Sequence, residues 1–451
     1  MLLGAAACAS QAQPVPPETP PPRDYLLPAA EIVAFDFLLN RWNHRFSGST
    51  DYDVSGASVR RNLRGPWVTD NDPFSVNQFA HPYQGSLYHG AARSAGLGYW
   101  TSVGYTFVGS LAWEIAGEQT PPARNDQVAS GIAGSFLGEP LFRMARLVLN
   151  RRGAGDGPDA WRSWAAAAIS PPVGLNRALF GSRFDAAFDD HDPVYYSRLR
   201  LGAERVAQSE LGTTTRLRRH DASVDFALDY GLPGQPGYTY TRPFDYFAVR
   251  FVAGTGQGVR TLSTQGLLLG TDYALGDRYR GVWGVYGHYD YFAPQLFNLS
   301  ATGLSIGTTA QWWLAPQWAL QGTVLAGVGY AAASTQRGAA DDRDYHYGMA
   351  PQASLALRLI AGSRWSLDTS AQKFFVGHIA NRTAGHDDLE RVDAALTWRV
   401  SGRHAVGLQA VRWHRDASYP VAGDRAQTLT TVGVYYTLLG LDTFGTVEWR
   451  R

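Results

Sequence analysis

The sequence has almost no cysteine, almost no lysine and few charges of either sign. Cys8 is the one cysteine among 451 residues, which excludes an internal disulfide and a cysteine-built zinc site. Lys373 is the one lysine, so arginine carries nearly all the positive charge. Charged residues make up 18% of the chain, against roughly 25% in ordinary soluble domains. A formal net charge of +1 gives nucleic acid no general electrostatic hold. Long hydrophobic runs are missing too. The least charged stretch, SAGLGYWTSVGYTFVGSLAW (94–113), has the roughly 20 residues of a membrane-crossing helix but carries four glycines and five Ser/Thr. It reads as a buried helix of a helical domain, its glycines allowing a neighbour to come close. There is no P-loop, and no G-x-G-x-x-G follows a strand.

What is present divides into a leader and two halves. The opening MLLGAAACASQAQPVPPETPPP has an apolar run, small residues and a proline-rich spacer, the pattern of an exported chain. Ala5-Ala6-Ala7-Cys8 resembles a lipoprotein processing box with Cys8 as the lipidated residue, and Ser10-Gln11-Ala12 is a competing cleavage site. Residues 1–23 are therefore set apart from the fold. From 24 to 190 the period is helical or irregular. EIVAFDFLLNRWNHRF (31–46) places Ile32, Phe35, Leu38, Leu39 and Trp42 on one face. Residues 83–118 and 127–150 read as further helices, with Asn125-Asp126 in an N-cap position for the second. WRSWAAAAI (161–169) is a short helix stopped by Pro171-Pro172.

From about 195 the period is two. In TGLSIGTTAQWWL (302–314), Leu304, Ile306, Ala310, Trp312 and Leu314 alternate with Gly303, Ser305, Gly307, Thr309 and Gln311. The same alternation runs through 318–330, 390–400 and 428–438. A soluble sandwich prefers strands of about 5–6 residues, whereas these segments run to about 10–15 residues, the length of barrel spans. Tyr and Trp sit at their ends, including Tyr289, Tyr291, Tyr345, Tyr347 and Trp365, as interfacial girdles do. The pattern predicts an all-β transmembrane barrel of about twelve antiparallel strands over 191–451, in the outer membrane of a Gram-negative bacterium. The N-terminal helical domain is expected to plug its lumen or cap its mouth, because side chains alone do not fill a lumen of that width. Leu441, Val447 and Trp449 in LDTFGTVEWRR are read as an alternating last strand.

The chemistry is concentrated in 62–143. LAWEIAGE (111–118) sets Glu114 and Glu118 one helical turn apart, where like charges repel. His81 precedes Pro82 and so belongs to a turn; His89 and Arg93 are one helical turn apart; Asn125-Asp126 and GSFLGEPLFR, with Glu139 and Arg143, follow. Three readings remain. The glutamates pair with Arg93 and Arg143 in a buried network joining helices, together with Asn77, Asn125, Asp126 and Glu139. Or Glu114, Glu118, His81, His89 and Asp126 hold a metal, although E-x-x-x-E matches neither a di-iron nor a zincin spacing. Or one carboxylate stays protonated beside the other and acts as general acid or base. Ser86, Ser94 and Ser110 are conceivable nucleophiles, but none sits in a G-x-S-x-G elbow. FDDHDP (188–193) is read as a solvated turn lacking calcium-loop spacing.

The run NQFAHPYQGSLYHGAARSAG, followed by WEIAGE, ND and GEP, resembles a bacterial family defined only as domain of unknown function 3943, whose members are exported and often end in a β-rich half. The likeness covers about 60–150, extended by SPPVGLNRALFG (170–181), at Asn77, His81, Pro82, Gly85, Arg93, Trp113, Glu114, Glu118, Asn125, Asp126, Gly138 and Glu139. It implies an envelope location and names no established activity. No metal and no cofactor are called for. The expected partners are outer-membrane lipid, the machinery that inserts barrels, and a small-molecule or lipid ligand. Three roles stay open: transport or binding of that ligand, hydrolysis of an envelope lipid or glycan through Glu114, Glu118 and His81, or a purely structural part of the envelope.

Overall fold

The computed structural model describes residues 22–150, 160–188, 193–210, 217–256, 258–294, 296–334, 342–378, 385–420 and 423–450. Cys8, the cleavage sites, most of the proline-rich spacer and the centre of FDDHDP lie outside them.

Twelve strands form one closed antiparallel barrel: β1 (Tyr195–Glu210), β2 (Leu217–Tyr230), β3 (Phe247–Gly254), β4 (Gly258–Leu275), β5 (Tyr279–Phe292), β6 (Leu299–Ala315), β7 (Trp318–Ser334), β8 (Tyr345–Ala361), β9 (Trp365–Val376), β10 (His386–Ser401), β11 (His404–Tyr419) and β12 (Gly423–Leu439). Each strand pairs with its neighbours in sequence, and β1 closes on β12 from Arg198↔Leu439 to Glu210↔Gln427. Closure leaves no free edge, which a sheet in hydrocarbon cannot tolerate. Tight turns at 276–278, 316–317, 362–364 and 402–403 share the end where β1 begins and β12 stops, the periplasmic end of an outer-membrane barrel.

The alternation read from the sequence is the alternation of the wall. Leu304, Ile306, Val324, Val328, Val432 and Val434 point outward and are exposed. Ser305, Thr309, Gln311, Thr323, Arg391 and Asp393 point inward and are buried. An apolar outer belt around a polar interior is the surface of an outer-membrane barrel.

The helical half comprises α1 (Leu26–Phe46), α2 (Gly56–Arg64), α3 (His81–Ser94), α4 (Tyr99–Ala116), the single turn α5 (Arg124–Asp126), α6 (Gly134–Asn150), α7 (Ala160–Ile169) and α8 (Pro171–Phe180). A π-helical turn, Val76–Ala80, leads into α3, and a second, Gln127–Ala133, leads into α6. His81 is thus helical rather than part of a turn: its N–H closes the π-helical turn on Val76 O, and Pro82 follows directly within α3. Pro171 likewise opens α8 instead of only ending α7. Asn125 and Asp126 lie inside α5 and make no cap hydrogen bond.

The placement of the helices differs from the expected plug or cap. They lie against the outside of the wall. Tyr289, Tyr291, Tyr345 and Tyr347 have the outward parity of exposed Trp283 and Met349, yet are buried, in one cluster with Phe74, Tyr99 and Phe136 of the helical half. Tyr289 Oη donates to Gln78 O (2.6 Å), and Thr264 Oγ1 to Phe136 O (3.1 Å). The latter bond has a local cause. Pro140 lacks the N–H that would reach the Phe136 carbonyl one turn back, so the barrel wall supplies the donor.

The lumen is filled from the barrel's own chain. Ion pairs cross it between non-adjacent strands: Arg250–Asp393 (3.3 Å), Arg260–Glu204 (2.7 Å), Arg358–Asp229 (2.9 Å) and Arg200–Asp368 (3.8 Å). The segment after β12 is not a further strand. It turns into the periplasmic mouth, where Gln311 Nε2 donates to Val447 O (2.7 Å), Val447 N to Gln311 Oε1 (2.9 Å) and Gln321 Nε2 to Gly445 O (2.7 Å). At the opposite end Phe297 packs on Trp413, with ring centroids 5.5 Å apart.

Close approach of α3 to α6 depends on glycine. A Cβ on Gly85 would fall 1.9 Å from the Ser130 carbonyl oxygen, and one on Gly134 would fall 2.6 Å from Gly85 Cα. The contact is with backbone, so no rotamer relieves it. Gly85→Ala is expected to lower stability by at least about 1–3 kcal/mol, read as an earlier urea midpoint in detergent, whereas Gly98→Ala, with open space around it, serves as the neutral control. Equal midpoints for the two variants contradict this packing.

Candidate functional site

Two polar assemblies in the helical half contain the residues singled out in the sequence. The lower one centres on Glu139, which is fully buried. Arg93 Nε donates to its Oε2 (2.7 Å), Arg143 Nε to its Oε1 (2.8 Å), and His89 Nε2 lies 3.1 Å from Oε2. His89 and Arg93 reach it together because they lie four residues apart on α3. Arg143 extends the network to the barrel through Asp245 Oδ1 (3.1 Å) and Pro243 O (2.7 Å). Arg93 also lies over the Phe142 ring at 4.7 Å. Arg93 and Arg143 therefore serve Glu139, and not Glu114 and Glu118 as the first of the three readings has it.

The upper assembly joins the helices to the far end of β8. Asp70 Oδ1 accepts from Asn77 Nδ2 and Asn125 Nδ2, both at 2.6 Å, and Asp70 N donates to Asn125 Oδ1 (3.0 Å). Asn77 Nδ2 also lies 2.9 Å from Tyr345 Oη, and Asn125 Nδ2 3.1 Å from Tyr347 Oη. Deeper in, His81 stands between two groups: Ser130 Oγ is 3.3 Å from its Nδ1, and Asp126 Oδ2 is 3.7 Å from its Nε2. All three side chains are buried. Among the described residues no three His, Asp or Glu side chains are grouped to hold a metal ion.

Glu114 and Glu118 accept from different donors. Glu114 Oε2 accepts from Ala123 N (2.8 Å), holding the loop that leads to α5. Glu118, just past α4, accepts from Trp113 Nε1 (3.0 Å) and Thr120 Oγ1 (3.1 Å). Burial, and then the charge of Asp72, push the Glu118 carboxyl up to about 7. Asp72 is also raised, by burial and by Asp70. Sequence reasoning missed Asp70, Ser130, Tyr345 and Tyr347 as members of this junction. Asp70 lies in the run Asp70-Asn71-Asp72 just before the π-helical turn, and the tyrosines lie within the girdle pattern; Ser130 carried no signal.

A third candidate is the lumen. A cavity of about 190 Å³ inside the barrel is lined by Arg198, Arg250, Arg358, Arg391, Asp368 and Asp393 among others. Arg198 is buried, and its Nε has no acceptor among the described residues.

Two outcomes follow for the helical half. Removing one member of a buried charge network costs about 3–5 kcal/mol because a charge is stranded, so Glu139→Ala is expected to lose the heat-modifiable gel mobility of the folded chain at a lower temperature. Glu118 binds its proton more tightly when folded, so its contribution to stability is greatest below about 4.5 and falls as pH rises toward about 7. Glu118→Gln is expected to flatten the urea midpoint between pH 5 and pH 8; an unchanged slope rules this carboxyl out as its source.

Residues 66–172 match the family model described as "Domain of unknown function (DUF3943)". No curated protein matches the chain. Among solved structures, an outer membrane channel from Pseudomonas putida F1 is 11% identical, with 56% of this chain and 99% of that one covered and a TM-score of 0.30. The outer membrane channel DcaP of Acinetobacter baumannii is 9% identical, with 54% and 96% covered and a TM-score of 0.26. The NanC porin is 7% identical, with 52% and 98% covered and a TM-score of 0.27. Those values carry no argument about activity.

Proposed function

We propose that this outer-membrane barrel binds a small, acceptor-rich solute, a carboxylate or a polyhydroxyl compound, in its lumen and passes it when the closing segments withdraw. One observation carries the reading: an arginine-lined cavity lies inside the barrel, with chain from outside the sheet reaching in toward each of its ends. Arg198 brings to that cavity a buried guanidinium that is paired with Asp225 (3.2 Å) but whose Nε–H has no acceptor among the described residues, and a charge-assisted hydrogen bond to an anionic oxygen is the strongest kind that group makes. The closing elements are the tail at Gly445–Val447 and the Phe297 segment. They are held by hydrogen bonds and by burial of Phe444, Val447 and Phe297 against the wall, and neither belongs to the strand ladder, so opening needs no change in the sheet.

A second reading rests on Ser130, His81 and Asp126. A hydroxyl, an imidazole and a carboxylate in sequence is the arrangement of nucleophilic hydrolysis, and its place at the lipid side of the wall favours an envelope lipid as substrate. Loss of a lipid turnover in Ser130→Ala, with folding and conductance unchanged, would favour it over the lumen reading.

The lumen reading is tested in planar bilayers. Gln311→Ala with Gln321→Ala removes three tail hydrogen bonds of about 1 kcal/mol each, a shift of about 100-fold toward the undocked tail. Open events are expected to become correspondingly more frequent, and Arg198→Ala in that background is expected to reduce anion preference. Silent bilayers for both the parent and the double variant, with both chains folded, would exclude passage through the lumen.

A further inference from the structure

The outer surface of the helical half has an unusual distribution of charge. On α1 the exposed positions between Leu26 and Leu38 are Ala29, Ala30, Val33, Ala34 and Phe37 together with those two leucines, all without charge. On α4 the exposed positions are Trp100, Thr101, Gly104, Phe107, Val108, Leu111 and Ala116, again without charge. The exposed positions of α7 and α8 include Trp161, Trp164, Leu175 and Leu179, with no charged residue among them. Of the helix face read as core in α1, only Ile32 is buried; Leu38 and Trp42 are each 64% exposed. The exposed charges of this half gather at two ends. Arg41, Arg45, Asp51, Asp53, Arg60 and Arg64 lie at one, around the Asn40–Gly117 and Arg61–Gln119 contacts. Arg23 and Arg183 lie at the other, beside Asp24.

This uncharged waist lies beside the barrel belt and is about as long as the belt is tall. α4 starts with Tyr99 on Phe244, which the chain between β2 and β3 carries up the outside of the wall to the middle of β4, where Phe244 N donates to Leu267 O (2.6 Å). It finishes near the junction with β8, where Glu114 holds the loop to α5. Eighteen helical residues span about 27 Å at 1.5 Å each, close to the roughly 25 Å apolar band of an outer-membrane barrel. The helices lie on the same outward wall whose uncovered part, at Trp283, Leu304 and Ile306, is exposed and apolar. Among the described residues no helix is long and apolar enough to cross a membrane by itself. These helices have no need to do so. Their polar faces turn toward one another and toward the wall, around Glu139 and Asp70, and only the uncharged faces remain outside.

We propose that the helical half lies within the outer membrane beside the barrel, with the exposed faces of α1 and α4 against lipid acyl chains and the two charged ends at the headgroups. The lipid-facing surface of the molecule is then one continuous belt, part sheet and part helix. Trp42 and Phe46, next to Arg41 and Arg45, hold one end of α1 at the interface, and Tyr25, next to Arg23, holds the other, as interfacial aromatic and basic residues do.

The test uses the full chain in liposomes. On a Cys8→Ala background, Phe37→Cys, Val108→Cys and Leu175→Cys carry a nitroxide, with Val434→Cys on the barrel belt and Arg60→Cys at a charged end as references. Their collision rates with oxygen and with a water-soluble nickel chelate are compared. The expected result is oxygen preference at 37, 108 and 175, matching position 434, and nickel preference at position 60. Nickel preference at 37 and 108 overturns the proposal and moves the helical half into water. Independently of any substitution, a photoactivatable diazirine acyl chain in the same liposomes is expected to label 29–38 and 100–111 of the native chain. Labelling confined to the strands overturns it equally.

Discussion

The structure depends on one constraint, that successive side chains of a strand leave on opposite sides of a closed sheet. Closure satisfies every ladder bond within the wall, so the outside is free to be apolar and the inside must hold everything polar. The interior meets that demand with arginine–aspartate pairs that bridge from one side of the barrel to the other, such as Arg250–Asp393. The outside is shared between two kinds of neighbour. Where the wall meets solvent or lipid it shows valine, leucine and isoleucine. Where it meets helices it shows tyrosine, whose ring packs and whose hydroxyl finds a partner, as Tyr289 does at Gln78.

Attachment of the helices is both apolar and polar. The cluster around Phe74, Tyr99 and Phe136 supplies area without direction. Glu139 supplies direction, because its two oxygens fix Arg93 on one helix and Arg143 on another, and Arg143 in turn fixes Asp245 of the barrel. Asp70 does the same at the other end through Asn77 and Asn125. With polar anchors at both ends, the bundle has one position along the wall. Glu114 and Glu118 belong to this framework as holders of loops and indole, not as one another's partners.

The barrel was legible because its signal is repeated. A period of two over strand after strand cannot be imitated by a helix, and Leu304 and Ile306 against Ser305 and Thr309 assign the two faces without any knowledge of partners. The position of the helices was not legible, because Tyr289, Tyr291, Tyr345 and Tyr347 are the residue types of a lipid interface and of a helix contact alike. The tail at Val447 misled for a similar reason: alternation over so few residues fits a strand and also a segment whose backbone is gripped by glutamine. Within the site, the four-residue spacing of His89 and Arg93 correctly placed both on one face, while their common acceptor, Glu139, lies 46 residues beyond Arg93, a pairing that no local pattern encodes.

The order of the chain gives the placement of the helices a further meaning. Residues that pack Phe74 and Tyr99 arrive early in synthesis, but the surface that receives them is complete only with Tyr345 and Tyr347 of β8. Contacts of such long sequence separation form late and slowly. The receiving surface therefore comes from the C-terminal half: the strands up to β8 must pair before the first-made segment can settle on them.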